Sequence, residues 1–251
     1  MRLLVESQDA YNNMAEDAAL TELSSEPTLR LYTWRPIAVS IGYFQSISDE
    51  VDEEFCRAHG IDVVRRMTGG GAVFHDDEIT YSFVCPIDRW ESIAEGLGKN
   101  GKNVRETFEL VCNCLVIALE NLGLNAKFRG INDVEVNGKK ISGSAQTMKK
   151  GSLLQHGTLI YEIDEDLMFK ALRIGKEKIS DKGIKSAEAR VTSIKRELGD
   201  VGKDRITEAL AKGFSSGLGV DVMLGELSEK ERNKKEELRT KFVSREWNYQ
   251  R

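Results

Sequence analysis

Proline is scarce in this chain, with three residues in 251, all before residue 87. No proline-rich linker or low-complexity tract divides it. Cysteine is nearly as rare: Cys56, Cys85, Cys112 and Cys114 include no C-x-x-C pair. That spacing argues against a structural zinc site and against a disulfide framework. No apolar run approaches the length needed to span a bilayer. Residues 1–8 lack the cationic and hydrophobic blocks of a secretory signal. Nor is there a basic excess: 36 lysines and arginines stand against 41 acidic residues, a net charge of −5. Nucleic-acid binders usually carry the opposite imbalance. Neither a nucleic-acid partner nor a membrane location is expected, and a reducing cytoplasm is. What the chain does have is 40% hydrophobic residues, enough at this length for a sizeable core.

The apolar pattern predicts a strand over residues 3–6, then a helix opened by Asn13 and Glu16 as a capping box. Strands over 29–34 and 37–41 should meet at Arg35-Pro36; the second alternates Ile37, Val39 and Ile41. A short helix over 51–59 and strands over 61–66, 72–74 and 79–85 follow. Residues 103–122 make the clearest helix, with Asn103 and Glu106 at its start and Gly123 at its end. Extended segments over 139–147 and 152–161 read as a hairpin, and helices are expected near 166–173, 204–215 and 228–242. Strands and helices mix without a strict βαβ rhythm, which predicts an α+β fold, a mixed β-sheet flanked by helices. A main domain over 1–225 and a charged helical tail over 226–251 are expected. The tail reads by default as a solvated face, with Glu231 and Lys235 spaced for an i,i+4 pair.

Three clusters could carry chemistry. In Arg65-Arg66-Met67-Thr68-Gly69-Gly70-Gly71-Ala72-Val73-Phe74-His75-Asp76, the glycines let the backbone approach a ligand closely. Successive N–H groups in such a loop can cradle an anion, and Arg66 can add a charged fork. No Gly-Lys-Ser/Thr follows, so this is not a Walker loop, and the strand after it excludes a dinucleotide fingerprint. A tight turn beside exposed arginines is the plainer alternative. The second cluster is Asn132-Asp133, then Lys139-Lys140-Ile141-Ser142-Gly143-Ser144-Ala145. Lys140 could neutralise a phosphate or carboxylate, and Asp133 could hold magnesium. Equally, Asn137-Gly138 is what any hairpin turn looks like, and lysines beside such turns are usually solvated. The third is Gln155-His156-Gly157-Thr158. There His156 reads as a structural hydrogen-bonding group and Thr158 as a residue able to face a pocket.

Together, in order and spacing, these clusters and Ile41-Gly42-Tyr43-Phe44-Gln45 resemble the lipoate–protein ligase A family over roughly residues 1–220. A stretch from Gly183 to Thr192 matches as well. The resemblance implies the mixed-sheet fold shared with biotin ligases and class II aminoacyl-tRNA synthetases. It also implies an ATP- and Mg2+-dependent ligase that forms lipoyl-AMP from lipoate and passes the lipoyl group to a lysine of a lipoyl domain. Carried over by position, Lys140 would be the catalytic lysine. Arg66, Gly70, Gly71, Ala72, Val73, Phe74 and Thr158 would bind ATP or the adenylate, with Asn132, His75 and His156 nearby and Asp133 at the metal. Acceptors would be the E2 component of 2-oxoacid dehydrogenases, the glycine-cleavage H protein or a similar carrier. The chain is too short for the full accessory domain of the longer ligases, so a separate accessory subunit is a further expected partner. The alternatives are an octanoyl or lipoyl transferase working through a cysteine thioester, and a lipoate-binding subunit that needs such an accessory protein. Related transferases carry the thioester cysteine just before the Lys-Ile-Ser-Gly motif; residues 127–132 here contain none.

Overall fold

A computed structural model of the chain describes residues 1–173 and 190–251. In the described residues, strands β1 (Arg2–Gln8), β2 (Thr28–Trp34), β3 (Ala38–Ile41), β4 (Asp62–Arg65), β5 (Val73–His75) and β6 (Asp77–Pro86) precede the longest helix, Val104–Asn121. Strands β7 (Ala126–Arg129), β8 (Asp133–Val136), β9 (Lys139–Lys149), β10 (Ser152–Glu162) and β11 (Met223–Leu224) follow it. Eight of them form one sheet in the order β11-β1-β2-β6-β10-β9-β8-β7, and β4-β3-β5 form a second. Parallel pairing of β1 with β2 beside antiparallel β6, β9 and β10 makes the large sheet mixed, so the fold is α+β as the patterning implied. No helix of the described residues is long and apolar enough to cross a membrane.

Two tight turns set the register of the sheet's far half. Asn137 and Gly138 have φ of 53° and 78°, and Lys150 and Gly151 have φ of 54° and 77°. Two consecutive left-handed residues make the turn whose twist matches antiparallel strands. Asn137-Gly138 is therefore a hairpin turn joining β8 to β9. The Val104–Asn121 helix buries Val111, Cys112, Leu115 and Leu119 against this sheet, together with the Lys203–Leu218 helix. Asn103 caps it through the backbone N–H groups of Arg105 and Glu106. The expected return contact from Glu106 is absent: its carboxylate accepts from the N–H groups of Asn100 and Gly101 instead.

At the first helix the capping residues differ from expectation. Asp9 is the cap, accepting from Asn12 N at 2.7 Å, and the helix runs Ala10–Leu23. Starting earlier, it carries Asn13 and Glu16 into the interior. There Glu16 meets the Arg30 guanidinium at 2.8 Å, and Asp17 meets the same group at 2.5 Å. The Glu229–Val243 helix is not the solvated face that its composition suggested. Its Leu238 and Phe242 pack with the Ala10–Leu23 helix. Glu231 pairs with Arg2 at 2.7 Å and Lys235 with Glu16 at 2.9 Å, so the anticipated i,i+4 pair gives way to longer-range partners. An exposed i,i+4 pair is worth only a few tenths of a kcal/mol, and these partly buried partners compete easily.

Burial alone would raise the Asp17 carboxyl, but the Arg30 guanidinium and the His156 ring outweigh it and hold its pKa below the ordinary aspartate value. Arg30→Met removes the guanidinium shared by the buried carboxylates of Glu16 and Asp17, leaving them Lys235 and His156, and should cost about 3–5 kcal/mol in urea unfolding at neutral pH. Because the folded-state pKa of Asp17 is depressed, its stabilisation is complete above the unfolded value near ~3.9. It is lost as pH falls through the folded-state value. Unfolding series on the acid side should show this loss in the wild type and a weaker one in Asp17→Asn.

Candidate functional site

The triglycine loop leaves β4 and passes over Gly42. A Cβ on Gly42 would sit 2.0 Å from Gly70 O, so only glycine lets these two backbones approach. Gly70 itself has φ of +95°. Arg66 is nearly buried beneath the loop. Its Nη2 donates to Gly69 O and Gly71 O, each at 2.7 Å, and its Nη1 donates to Ser40 O at 3.1 Å. Arg66 thus shapes the loop as well as charging it, and burial pushes its guanidinium down to about 10. Arg65 turns the other way, donating to the carbonyls of Gly42, Tyr43 and Gln45 and to Asn248 O. Neither arginine is the exposed flank of a simple turn.

Lys140 stands next to the Asn137-Gly138 turn but is not free in solvent. Its Nζ lies 2.7 Å from Asp133 Oδ1 across the β8–β9 pair. The side chain crosses Gly143, where a Cβ would come 2.7 Å from Nζ, so the Gly in Ile-Ser-Gly is the space the lysine occupies. Its backbone is clamped from the far side: Lys140 N donates to Arg190 O, and Thr192 N to Lys140 O, both at 2.8 Å. Of the Gly183–Thr192 match, Arg190-Val191-Thr192 therefore supports the lysine; residues 183–189 lie outside the described residues.

Lys140 and the loop open onto one cavity of about 430 Å3. Arg66, Gly70, Gly71, Ala72, Val73 and Phe74 line it from one side. Asn132, Lys140, His156 and Thr158 line it from the large sheet, and His75 also faces it. Asp133 is outside the lining and acts through Lys140. Asn132 is tied to β9, donating from Nδ2 to Ser144 O at 2.6 Å. His156 joins Asp17 (Nδ1, 2.9 Å) to the Thr68 hydroxyl (Nε2, 2.7 Å), anchoring the start of the loop. Sequence reasoning missed the apolar wall from Ile160, Ile163, Met168, Phe169 and Leu172, and the polar residues Ser40, Glu78 and Thr80. Ser40 had a visible signal: it interrupts the Val39/Ile41 alternation and so points to the opposite face.

Residues 9–215 match the family model of the lipoyl protein ligase A/B catalytic domain. A curated octanoyltransferase LipM from Kyrpidia tusciae is 36% identical, covering 95% of this chain and 94% of its own length. One from Brevibacillus brevis is 34% identical over 99% and 98%. Among solved structures, the archaeal bi-partite lipoate protein ligase from Thermoplasma acidophilum superposes with a TM-score of 0.86 at 32% identity, covering 99% of this chain and 95% of that one. The fold and family implied by the motifs stand. The ATP-dependent, AMP-forming ligase does not: these curated relatives are named as transferases of an octanoyl group. A transferase moves an acyl group that its donor has already activated, so the expectation of ATP, Mg2+ and an adenylate falls with the ligase reading. Asp133 also belongs to no group of three or more His, Cys, Asp or Glu side chains able to hold a metal among the described residues.

The packing of the loop makes a paired test. Gly42→Ala must displace Gly70 and should lower stability by about 1–3 kcal/mol, as overpacking does. Gly71→Ala meets open space and should change the stability read from urea unfolding by less than about 0.5 kcal/mol.

Proposed function

The chain belongs to the lipoyl protein ligase A/B catalytic domain family, and on that premise we propose that it moves a medium-chain acyl group, octanoyl, from a thioester donor to the lysine ε-amine of a lipoyl-domain protein. The cavity carries this reading. Its volume lies within the range of small-molecule sites, and its walls are largely apolar with a few converging polar groups. Each methylene of an acyl chain buried there gains about 0.8 kcal/mol. Aliphatic residues such as Ile160 and Met168 suit such a chain.

Lys140 supplies the charge. As an amine adds to the acyl carbonyl, negative charge grows on oxygen, and a fixed ammonium in a partly dry site stabilises that oxygen more than the starting carbonyl. Asp133 and Gly143 hold the ammonium in place. The archaeal structural relative is described with its E2 lipoyl domain, which supports an acceptor of that class.

A thioester on one of this chain's own cysteines is not part of the proposal. All four are buried, and none lines the cavity. Burial pushes the thiols of Cys56 and Cys112 up to about 11 and that of Cys85 to about 12, and it raises Cys114 as well. The thiolate is the nucleophile, so such groups are poor ones.

Incubated with an octanoyl thioester and an apo lipoyl domain, without ATP or magnesium, the protein should add one octanoyl group to the domain by intact mass. An unmodified domain would sink the proposal. Lys140→Ala should slow this transfer on the order of 10²–10³-fold, the usual cost of one well-placed stabilising donor. Cys112→Ala should leave the rate within about twofold, since a buried core thiol takes no part.

A further inference from the structure

Three polar side chains in the cavity wall have no part in the reading so far. Ser40 Oγ lies 2.7 Å from His75 Nε2, and His75 Nδ1 lies 2.7 Å from Glu78 Oε1. All three line the cavity and are almost wholly buried. We propose that Ser40, His75 and Glu78 form a nucleophile–base–orienter triad, in which Ser40 takes the acyl group from the thioester donor as an ester before the acceptor lysine receives it. This rests on the acyl-transfer reading above.

The strand register builds the arrangement. Ser40 of β3 pairs with Val73 of β5, and His75 pairs with Ala38. His75 is thus two residues beyond the partner of Ser40, on the same face and diagonally adjacent. Glu78, at the start of β6, reaches back across the β5–β6 corner. The ring has little freedom. It stacks on Trp34 with centroids 3.9 Å apart, and Trp34 Nε1 donates to Thr80 Oγ1 at 2.8 Å. The Thr80 hydroxyl donates in turn to Glu78 Oε1 at 2.6 Å. With the Nδ1 proton directed at Glu78, Nε2 is left to accept from the Ser40 hydroxyl, which is the order of contacts an activated serine requires. Arg66 Nη1 stands 3.2 Å from the same oxygen. Its other contacts are the carbonyls of Ser40, Gly69 and Gly71, neutral acceptors that leave its charge to act on a carbonyl oxyanion forming beside Ser40. The cysteines are outside the cavity, and Ser40 is a lining hydroxyl placed against a histidine that a carboxylate orients.

In the first step Ser40 Oγ adds to the thioester carbonyl and gives its proton to His75 Nε2. The C–S bond breaks, and the departing sulfur takes that proton as a thiol. In the second step the neutral amine of the acceptor lysine adds to the ester and gives a proton to His75. The C–O bond breaks, and Ser40 recovers its hydroxyl proton. Nothing is oxidised or reduced, and no co-reactant beyond the thioester and the amine is consumed.

The test uses the full chain with octanoyl-coenzyme A, read by intact mass before and after an apo lipoyl domain is added. Wild type should carry one octanoyl group that survives neutral hydroxylamine, as an ester does, and lose it to the domain. Ser40→Ala should show no adduct and transfer more slowly, on the order of 10²–10⁴-fold. Ser40→Cys keeps a nucleophile in place and should carry an adduct that hydroxylamine removes. If folded Ser40→Ala transfers at the wild-type rate, the triad is wrong and the acyl-transfer reading stands. If wild type transfers nothing, both fall. Should Ser40→Ala not fold, a hydroxylamine-resistant adduct on Ser40→Cys would itself overturn the assignment.

Discussion

The carboxylate of Asp17 is the point on which the site's architecture turns. It is buried between Arg30 of β2 and His156 of β10, and His156 continues to Thr68 at the entrance of the triglycine loop. One carboxylate therefore links the first helix, two strands of the large sheet and the loop on the small one. Removing charges from water is expensive, and such an arrangement holds only when every partner is present. Arg30 also receives Glu6 and Glu16, and Lys235 from the tail helix reaches Glu16. Positions of cavity residues on separate elements are thereby set by one connected polar cluster rather than by each strand alone.

Much of this was legible in the sequence because it followed local rules. Period-two alternation, the two extended segments 139–147 and 152–161 and the 103–122 apolar stripe produced the strands, the hairpin and the main helix. The order of the glycine loop, the Lys-Ile-Ser-Gly segment and His-Gly-Thr placed the part of the cavity lining that those segments form. What stayed hidden was decided over long distances. Asn13 and Glu16 have the spacing of a cap, and only the position of Arg30 shows that they are interior groups. Glu231 and Lys235 have the spacing of a surface pair, yet each finds a partner more than two hundred residues away. The alternation around Ser40 tells its face and no more, Glu78 looks ordinary in sequence, and the relation of Ser40 to His75 exists only once β3 and β5 are in register.

The distinction between ligase and transferase lies in the same category. The loop and the lysine serve any reaction in which an acyl carbonyl acquires negative charge, so their presence specifies the transition state and not the donor. An adenylate and a thioester both present a carbonyl with a good leaving group. Motifs built around that shared need cannot name the leaving group, and the names of the curated relatives overturn the ligase expectation where residue chemistry could not.

Arg65 has a consequence of a different kind. Its backbone N–H and its guanidinium are bonded to Asn248, 183 residues later in the chain, while the same guanidinium gathers the carbonyls of Gly42, Tyr43 and Gln45. During synthesis, the Gly42–Gln45 segment that the glycine loop crosses must wait for a distant part of the chain before Arg65 beside it is fully satisfied. Contacts of such long sequence separation make folding slow, and the nascent protein would hold Arg65 without its Asn248 partner for most of its elongation.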